Sequence, residues 1–373
     1  MSVLIFIAVI VALIVVHELG HFIAAKLSGM RVDEFGLGYP PRALTIAKVG
    51  ETEYTLNWLP FGGFVKIFGE DGGQGSRAFA TRPRILQAIV LVAGVTMNLL
   101  FAYVLITGAL IAGAPRSLSD AEVASATHTE LAVANVLSGS PAARANIFPG
   151  DSITSARDAA GEWRAADFLD KTLGTSVPLP KSFSAFIAAS GGNEVTLTVK
   201  HNGQEQTIVT KPASGIVASD PSRYALGVEV ATIGIVPLSV GAAIVEGASL
   251  TWGATVMTAQ GLWDFFYRIF TLSADFSQVA GPVGIAGAVG SASAQGLGEL
   301  FSIMAIISIN LAIINLIPIP ALDGGRLLFV IVESIIRRPI NPRVAQTVNA
   351  IGFIALVLLM VVVTAHDIFK IVG

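Results

Sequence analysis

Long uninterrupted runs of apolar residues alternate along this chain with polar stretches rich in glycine, proline and charge. A helix needs about 20 apolar residues to cross the hydrocarbon core of a bilayer. Four runs reach that length, at residues 3–25, 85–112, 300–322 and 344–365. The pattern therefore predicts four transmembrane helices, which we name spans one to four.

The section between spans two and three is more polar. It contains short alternating runs of apolar and polar residues, such as residues 194–200, which are typical of half-buried strands. We therefore predict a β-rich domain at residues 113–230. In residues 231–298, glycines and an aromatic cluster beside Asp264 and Arg268 favour amphipathic helices at the membrane interface over another span.

Composition indicates a membrane protein. Hydrophobic residues make up 53% of the chain and charged residues only 13%, against about 25% charged in soluble domains. The absence of cysteine excludes disulfides, thiolate metal ligands and cysteine nucleophiles. A net charge of -3 gives no overall basic surface for nucleic acid, so we expect no nucleic-acid partner.

The positions of the basic residues predict the orientation. Lysines and arginines are concentrated between spans one and two and between spans three and four, so these loops are expected in the cytoplasm. Both termini and the 113–230 domain then lie outside. No basic residue precedes Lys26, which favours a transmembrane helix over a cleaved signal peptide in residues 3–25.

The cytoplasmic end of span one carries the sequence His17-Glu18-Leu19-Gly20-His21. On a helix, two histidines four residues apart project from one face and can hold one metal ion. Glu18 lies beside them as a candidate base. A hydrolytic zinc site needs a third protein ligand and an open position for water.

Asp323, at the end of span three, is the candidate third ligand. An ionisable residue directly after so apolar a run is costly to bury. Ligation of a metal ion would neutralise the carboxylate and so account for its position. Taken alone, the segment also fits an ordinary interfacial turn before two glycines. Pro318 and Pro320 predict a broken helix at this point. An extra span before residue 300 would place Asp323 and His17 on opposite sides of the membrane.

These motifs together resemble the site-2 protease family of intramembrane zinc metalloproteases, and within it the bacterial regulator-of-sigma-E protease group. The resemblance rests on HELGH at 17–21, NLIPIPALDGG at 315–325 and the polar domain between them. Residues 35–40 and 59–66 are similar to the group's membrane-associated β-hairpin region. Ala93-Gly94 with Asn98 and residues 281–285 also fit, although Val95 stands where the family usually has proline.

The resemblance implies one zinc ion per chain, bound by His17, His21 and Asp323, with Glu18 as the catalytic base. It also implies that Leu322, Gly324 and the asparagines of span three border the substrate. From the residues alone, Asn310 and Asn315 could equally pack between spans or bind a substrate backbone or an oxyanion.

The implied activity is cleavage of single-span membrane proteins near the cytoplasmic face of a bacterial inner membrane. Anti-sigma factors already trimmed outside, or remnant signal peptides, are the substrates that the resemblance suggests. The lipid bilayer is a further expected partner.

The outer section is similar to bacterial PDZ domains at Ser140-Pro141-Ala142 and at Gly150-Asp151 with Ile153. We therefore predict one inserted PDZ-like domain, which could bind peptide C-termini or only exclude bulky substrates. A non-proteolytic scaffold or quality-control binder is the alternative function. The presence of Glu18 argues against it, because a structural metal site needs no base.

Overall fold

The computed structural model describes residues 2–70, 75–123, 125–137, 139–169, 179–201, 203–217, 219–236, 238–271, 281–338 and 340–372. The chain forms two compact units. Met1–Ala112 and Ser239–Gly373 make up the first, which we call the helical unit. Gly113–Leu238 make up the second, which we call the β-rich unit.

The helices, numbered in chain order, are α1 (Ser2–Leu27), α2 (Arg84–Ile111), α3 (Pro141–Arg144), α4 (Ala165–Leu169), α5 (Leu179–Ala189), α6 (Val240–Phe270), α7 (Pro282–Gln295), α8 (Leu297–Leu316), α9 (Asp323–Ile336) and α10 (Pro342–Val372).

The strands, numbered in chain order, are β1 (Val32–Val49), β2 (Thr52–Ile67), β3 (Arg116–Ser117), β4 (Thr127–Val136), β5 (Ser152–Arg157), β6 (Glu162–Arg164), β7 (Val195–His201), β8 (Gln204–Thr210) and β9 (Val228–Ile235).

Within the described residues, five helices are long and apolar enough to cross a membrane, namely α1, α2, α6, α8 and α10. The predicted count of four is therefore not confirmed. Spans one, two and four coincide with α1, α2 and α10. Span three is shorter than predicted, because α8 ends at Leu316 rather than at residue 322. Pro318 and Pro320 lack the N–H that a continuing helix would use, so the predicted break is confirmed.

The extra candidate is α6, in the region that we predicted to be interfacial. It is one helix of 31 residues, capped by the Ser239 hydroxyl, which accepts a hydrogen bond from the Ala242 N–H at 3.3 Å. It packs against α2, where the Tyr103 hydroxyl donates to the Ile244 carbonyl at 3.2 Å. Its length and composition alone are compatible with crossing the membrane.

The predicted β-hairpin region is present, and its strands bend so that they pair twice. Residues 32–37 pair with residues 63–67, and residues 34–37 also pair with residues 53–56. Residues 44–49 then pair with residues 52–56. The two strands thus make a small sheet in which residues 63–67 form one edge.

The β-rich unit contains a seven-stranded sheet in the order β3-β9-β4-β5-β7-β8, with β6 paired to β5. Trp163, Phe183 and Leu197 lie in its buried core. Strand β9 pairs with β4 across the boundary that we predicted at residue 230, so that boundary is too early and the unit continues to Leu238.

The two motifs that suggested a PDZ-like domain have clear local roles. The Ser140 hydroxyl caps α3 by accepting the Ala143 N–H at 3.2 Å. The Asp151 carboxylate is buried and accepts the Phe148 N–H at 2.9 Å, which closes the turn into β5. These contacts fit an ordered β-rich domain, and the PDZ-like fold stays a prediction.

Candidate metal centre

Helix α1 places the two histidines as its periodicity requires. His17 and His21 are one turn apart on the same face, and both side chains are buried. Their Nε2 atoms lie 3.1 Å from each other. The two imidazoles therefore present two nitrogens to one point.

Asp323 completes the group from a distant part of the sequence. It is the first residue of α9, directly after the break that ends α8. Its Oδ2 lies 3.0 Å from His17 Nε2 and 3.1 Å from His21 Nε2. The structure thus brings together the three predicted ligands in one cluster.

The three donor atoms fit a zinc ion. Ligands arranged tetrahedrally at zinc–ligand distances of about 2.0–2.1 Å lie about 3.3–3.4 Å from one another. The observed separations of 3.0–3.1 Å are close to that spacing. Space beside the nitrogens comes from Gly94 on α2, because a Cβ at that position would lie only 2.8 Å from His17 Nε2.

The remaining ring nitrogens have partners that favour metal binding through Nε2. His21 Nδ1 is 2.8 Å from the carbonyl oxygen of Val90, which can only accept a hydrogen bond. His21 Nδ1 must therefore carry the proton, which leaves the Nε2 lone pair for a metal.

Asn98 is the corresponding partner of His17 Nδ1. Its side-chain amide nitrogen is 3.1 Å from His17 Nδ1, and its Oδ1 is buried without a hydrogen-bond partner among the described residues. A half-turn of the amide faces Oδ1 to His17 and provides an acceptor for a protonated Nδ1. Metal binding at His17 Nε2 would thus satisfy the buried oxygen of Asn98.

A cavity of about 260 Å³ lies beside these ligands. Glu18, His21 and Asp323 line it from the helices, and residues 63–67 line it from the edge of the small sheet. Arg326 and Glu70 lie at the same cavity and form an ion pair. A candidate base, the donor cluster and a strand edge therefore share one space.

Comparison with known proteins agrees with this site. A model described as peptidase family M50 matches residues 5–359. The chain belongs to this family. Its members are the site-2 proteases, which are membrane proteins, so the resemblance drawn from the sequence is confirmed.

Three relatives, each named "putative zinc metalloprotease", match the chain over nearly its whole length. The protein of Clostridium perfringens is 35% identical and covers 96% of this chain and 95% of its own. The protein of Nostoc sp. is 32% identical and covers 95% and 93%. The protein of Synechocystis sp. is 30% identical and covers 97% and 93%. The chain is accordingly a zinc metalloprotease of the M50 family.

The predicted substrate residues of this M50 protease do not themselves line the described cavity. Asn310, Asn315, Leu322 and Gly324 are not among the described residues that line it. Leu322 instead precedes the first turn of α9, and Gly324 is buried against the carbonyls of Leu316 and Ile317. Close packing accounts for the glycine at position 324, and contact of all four residues with substrate stays a prediction.

Sequence reasoning gave no role to Gly94 and Asn98, although it noted both residues. They are four residues apart and share one face of α2, which is the face that meets α1. A glycine and an asparagine at this spacing in an apolar span were the available signal.

Proposed function

We propose that this M50 protein is an intramembrane endopeptidase that cleaves single-span membrane proteins near the cytoplasmic face. The observation that carries the proposal is the triangle of His17, His21 and Asp323 donor atoms beside a cavity that Glu18 shares. One zinc ion per chain would be held there by the three residues.

Each residue has a defined task in peptide hydrolysis. Zinc, when bound, would lower the pKa of a water molecule and polarise the scissile carbonyl. The Glu18 carboxylate takes the proton from the attacking water and passes it to the leaving amine. The Val90 carbonyl keeps His21 in the required tautomer, and Asn98 does so for His17 when its amide is turned to face Oδ1 toward His17 Nδ1.

The edge of the small sheet supports an extended substrate. A helix buries its own backbone hydrogen-bonding groups, so a membrane-spanning substrate must unwind before its carbonyl can be attacked. Residues 63–67 pair with β1 on one side, and they line the cavity that contains Glu18. A substrate strand added at this edge would gain backbone hydrogen bonds in place of those it lost.

The helix directions support the predicted topology. Asn98 meets His17 and Val90 meets His21, so α2 runs opposite to α1. Ser308 on α8 donates to the Asn98 carbonyl at 2.8 Å, and Phe301 lies beside Gly108, so α8 runs opposite to α2. The chain between α2 and α8 must then cross the membrane an even number of times or not at all.

This parity supports an interfacial α6. If α6 crossed, another crossing would have to follow, and the described helix available is α7 with 14 residues. A helix of that length extends about 21 Å, short of the roughly 30 Å hydrocarbon core. We therefore place α6 along the outer membrane surface, with both termini and the β-rich unit outside and the loops before α2 and α10 in the cytoplasm.

The cysteine-free chain allows a direct test of that topology. Val240→Cys and Tyr267→Cys would mark exposed positions near the two ends of α6. A membrane-impermeant maleimide should label both from the same face of sealed inner-membrane vesicles. Labelling from opposite faces would show that α6 crosses and would refute four spans.

For substrates, we propose anti-sigma factors that another protease has already trimmed outside, or remnant signal peptides. Both offer a single apolar span with a shortened outer part. The PDZ-like domain would bind exposed peptide C-termini or exclude bulky outer domains. A non-proteolytic scaffold that captures peptides through the β-rich unit is the second candidate.

The test is cleavage of tagged single-span reporters by the purified protein in liposomes. The product should vanish with Glu18→Gln and with a zinc chelator, and it should persist with Glu299→Gln, a matched change of another glutamate in the helical unit. If folded, zinc-loaded protein leaves every reporter of both classes intact, the scaffold becomes the better explanation.

A further inference from the structure

The chain makes a strained reverse turn just before Asp323. The Leu322 N–H donates to the Ile319 carbonyl at 3.2 Å across Pro320 and Ala321. Ala321 has a φ of 76°, in the left-handed region. These are the features of a type II turn, in which the third position is normally glycine. An alanine persists there only when its surroundings impose the conformation.

Helix α10 supplies those surroundings. The Asn349 Oδ1 accepts a hydrogen bond from the Ala321 N–H at 3.3 Å. Three residues later, Gly352 lies directly against Pro320, and a Cβ at Gly352 would be 2.5 Å from the Pro320 carbonyl oxygen. Both central residues of the turn are therefore contacted by one face of α10.

The other side of the turn supports the start of α9. Cβ atoms at Gly324 and Gly325 would collide with the carbonyls of Leu316, Ile317 and Ile319. The first turn of α9 thus packs directly on the backbone that precedes it. A change in the turn would be transmitted to Asp323, because little space remains to absorb it.

We propose that Asn349 is a positioning residue, which together with Gly352 clamps the strained turn and so sets the direction of the Asp323 carboxylate. The inference rests on the zinc site of the proposed function. It assigns to α10 a role in the metal centre although α10 contributes no ligand to the described cluster.

The clamp predicts a specific pattern of zinc affinities. Asn349→Leu removes the acceptor at similar size, and we expect about a tenfold loss of affinity, as for other partners that orient metal ligands. Gln346→Leu is the matched control, because Gln346 lies one turn earlier on α10 and lines the same neighbouring cavity as Asn349. It should leave zinc affinity unchanged.

The decisive measurement is rescue by glycine at position 321. Ala321→Gly accepts a positive φ without strain, so the turn no longer needs the clamp. The double variant Ala321→Gly/Asn349→Leu should therefore regain most of the lost affinity, whereas Ala321→Gly alone should bind zinc as the wild type does. A double variant as weak as Asn349→Leu would refute the strain argument, and an unchanged Asn349→Leu would refute the clamp.

Zinc affinity is measured by competition with a chromophoric chelator in detergent, with gel filtration as the check of folding. If Asn349→Leu does not fold, Gly352→Ala takes its place, since it pushes on Pro320 from the same helix, and the same tenfold loss is expected. Wild type that binds zinc but cleaves no reporter would overturn the proposed function and leave the clamp testable. Wild type that binds no more zinc than His17→Ala would overturn both.

Discussion

Gly94 gives the sharpest test of the metal centre, because it combines a large expected effect on zinc with a small one on folding. A Cβ added at this position would lie 2.8 Å from His17 Nε2 and closer still to His21 Nε2. Ordinary contact begins at 3.4 Å. The His17 ring would have to retreat by about 0.6 Å, whereas zinc–ligand distances tolerate only about 0.2 Å.

We therefore expect Gly94→Ala to weaken zinc binding by about 100-fold, the upper end of the loss of affinity that changes around metal ligands produce. Helix propensity favours alanine over glycine in a helix interior by about 1 kcal/mol. This gain offsets part of the about 1–3 kcal/mol that overpacking against two buried imidazoles costs. Loss of zinc from a protein that still folds is thus the expected signature.

Gly287→Ala is the matched control, because it lies inside α7 and a Cβ there would meet nothing within 4 Å. Both variants are purified, their zinc content is measured, and affinity is determined by chelator competition. Thermal unfolding without metal reports the stability of each. Equal zinc affinity in the two variants would show that the Nε2 atoms do not converge beside Gly94, and the proposed centre would be wrong.

Three further predictions concern other contacts. Asn98→Leu should lower zinc affinity about 10- to 100-fold through loss of the His17 partner, whereas Ser308→Ala, which removes a bond to the Asn98 backbone, should change it much less. The Arg116 guanidinium and then the Ser119 hydroxyl lower the pKa of Glu122 to about 2. The stability from these contacts is present above pH 4.5 and lost as the pH falls toward 2. Hydrogen-exchange protection of β3 should therefore fall on acidification, and it should fall less in Glu122→Gln. Asp367→Leu removes a buried carboxylate that accepts the Gly284 N–H at 2.9 Å in the first turn of α7, and a loss of about 1–2 kcal/mol in unfolding free energy is expected; an unchanged unfolding midpoint would contradict it.

The three candidate metal ligands could be predicted because local rules single them out. The four-residue spacing of His17 and His21 sets their geometry as soon as a helix is assumed. Asp323 stood out because an ionisable group follows a long apolar run. The hairpin, by contrast, was predicted through family resemblance. Part of β1 pairs with two separate stretches of β2, and this depends on bends in both strands that no local sequence pattern predicts.

The region of α6 could not be assigned from composition. Its apolar stretch has spanning length, yet Glu246, Asp264 and Arg268 give it an intermediate hydropathy. Helix length and hydropathy are then compatible with both placements. The direction of α8 relative to α2 limits the crossings between them to an even number, and that direction depends on contacts such as the one between Ser308 and Asn98.

The role of Asn98 shows most clearly that a site in a membrane protein includes residues outside its sequence motifs. An asparagine in an apolar span can serve as packing glue on any face, so the residue alone does not name its partner. Only the packing of α1 against α2 brings its amide to His17 Nδ1, where its buried Oδ1 could accept the imidazole proton once the amide is turned. The same proton would leave Nε2 free for zinc, so that one hydrogen bond would link helix packing to metal binding.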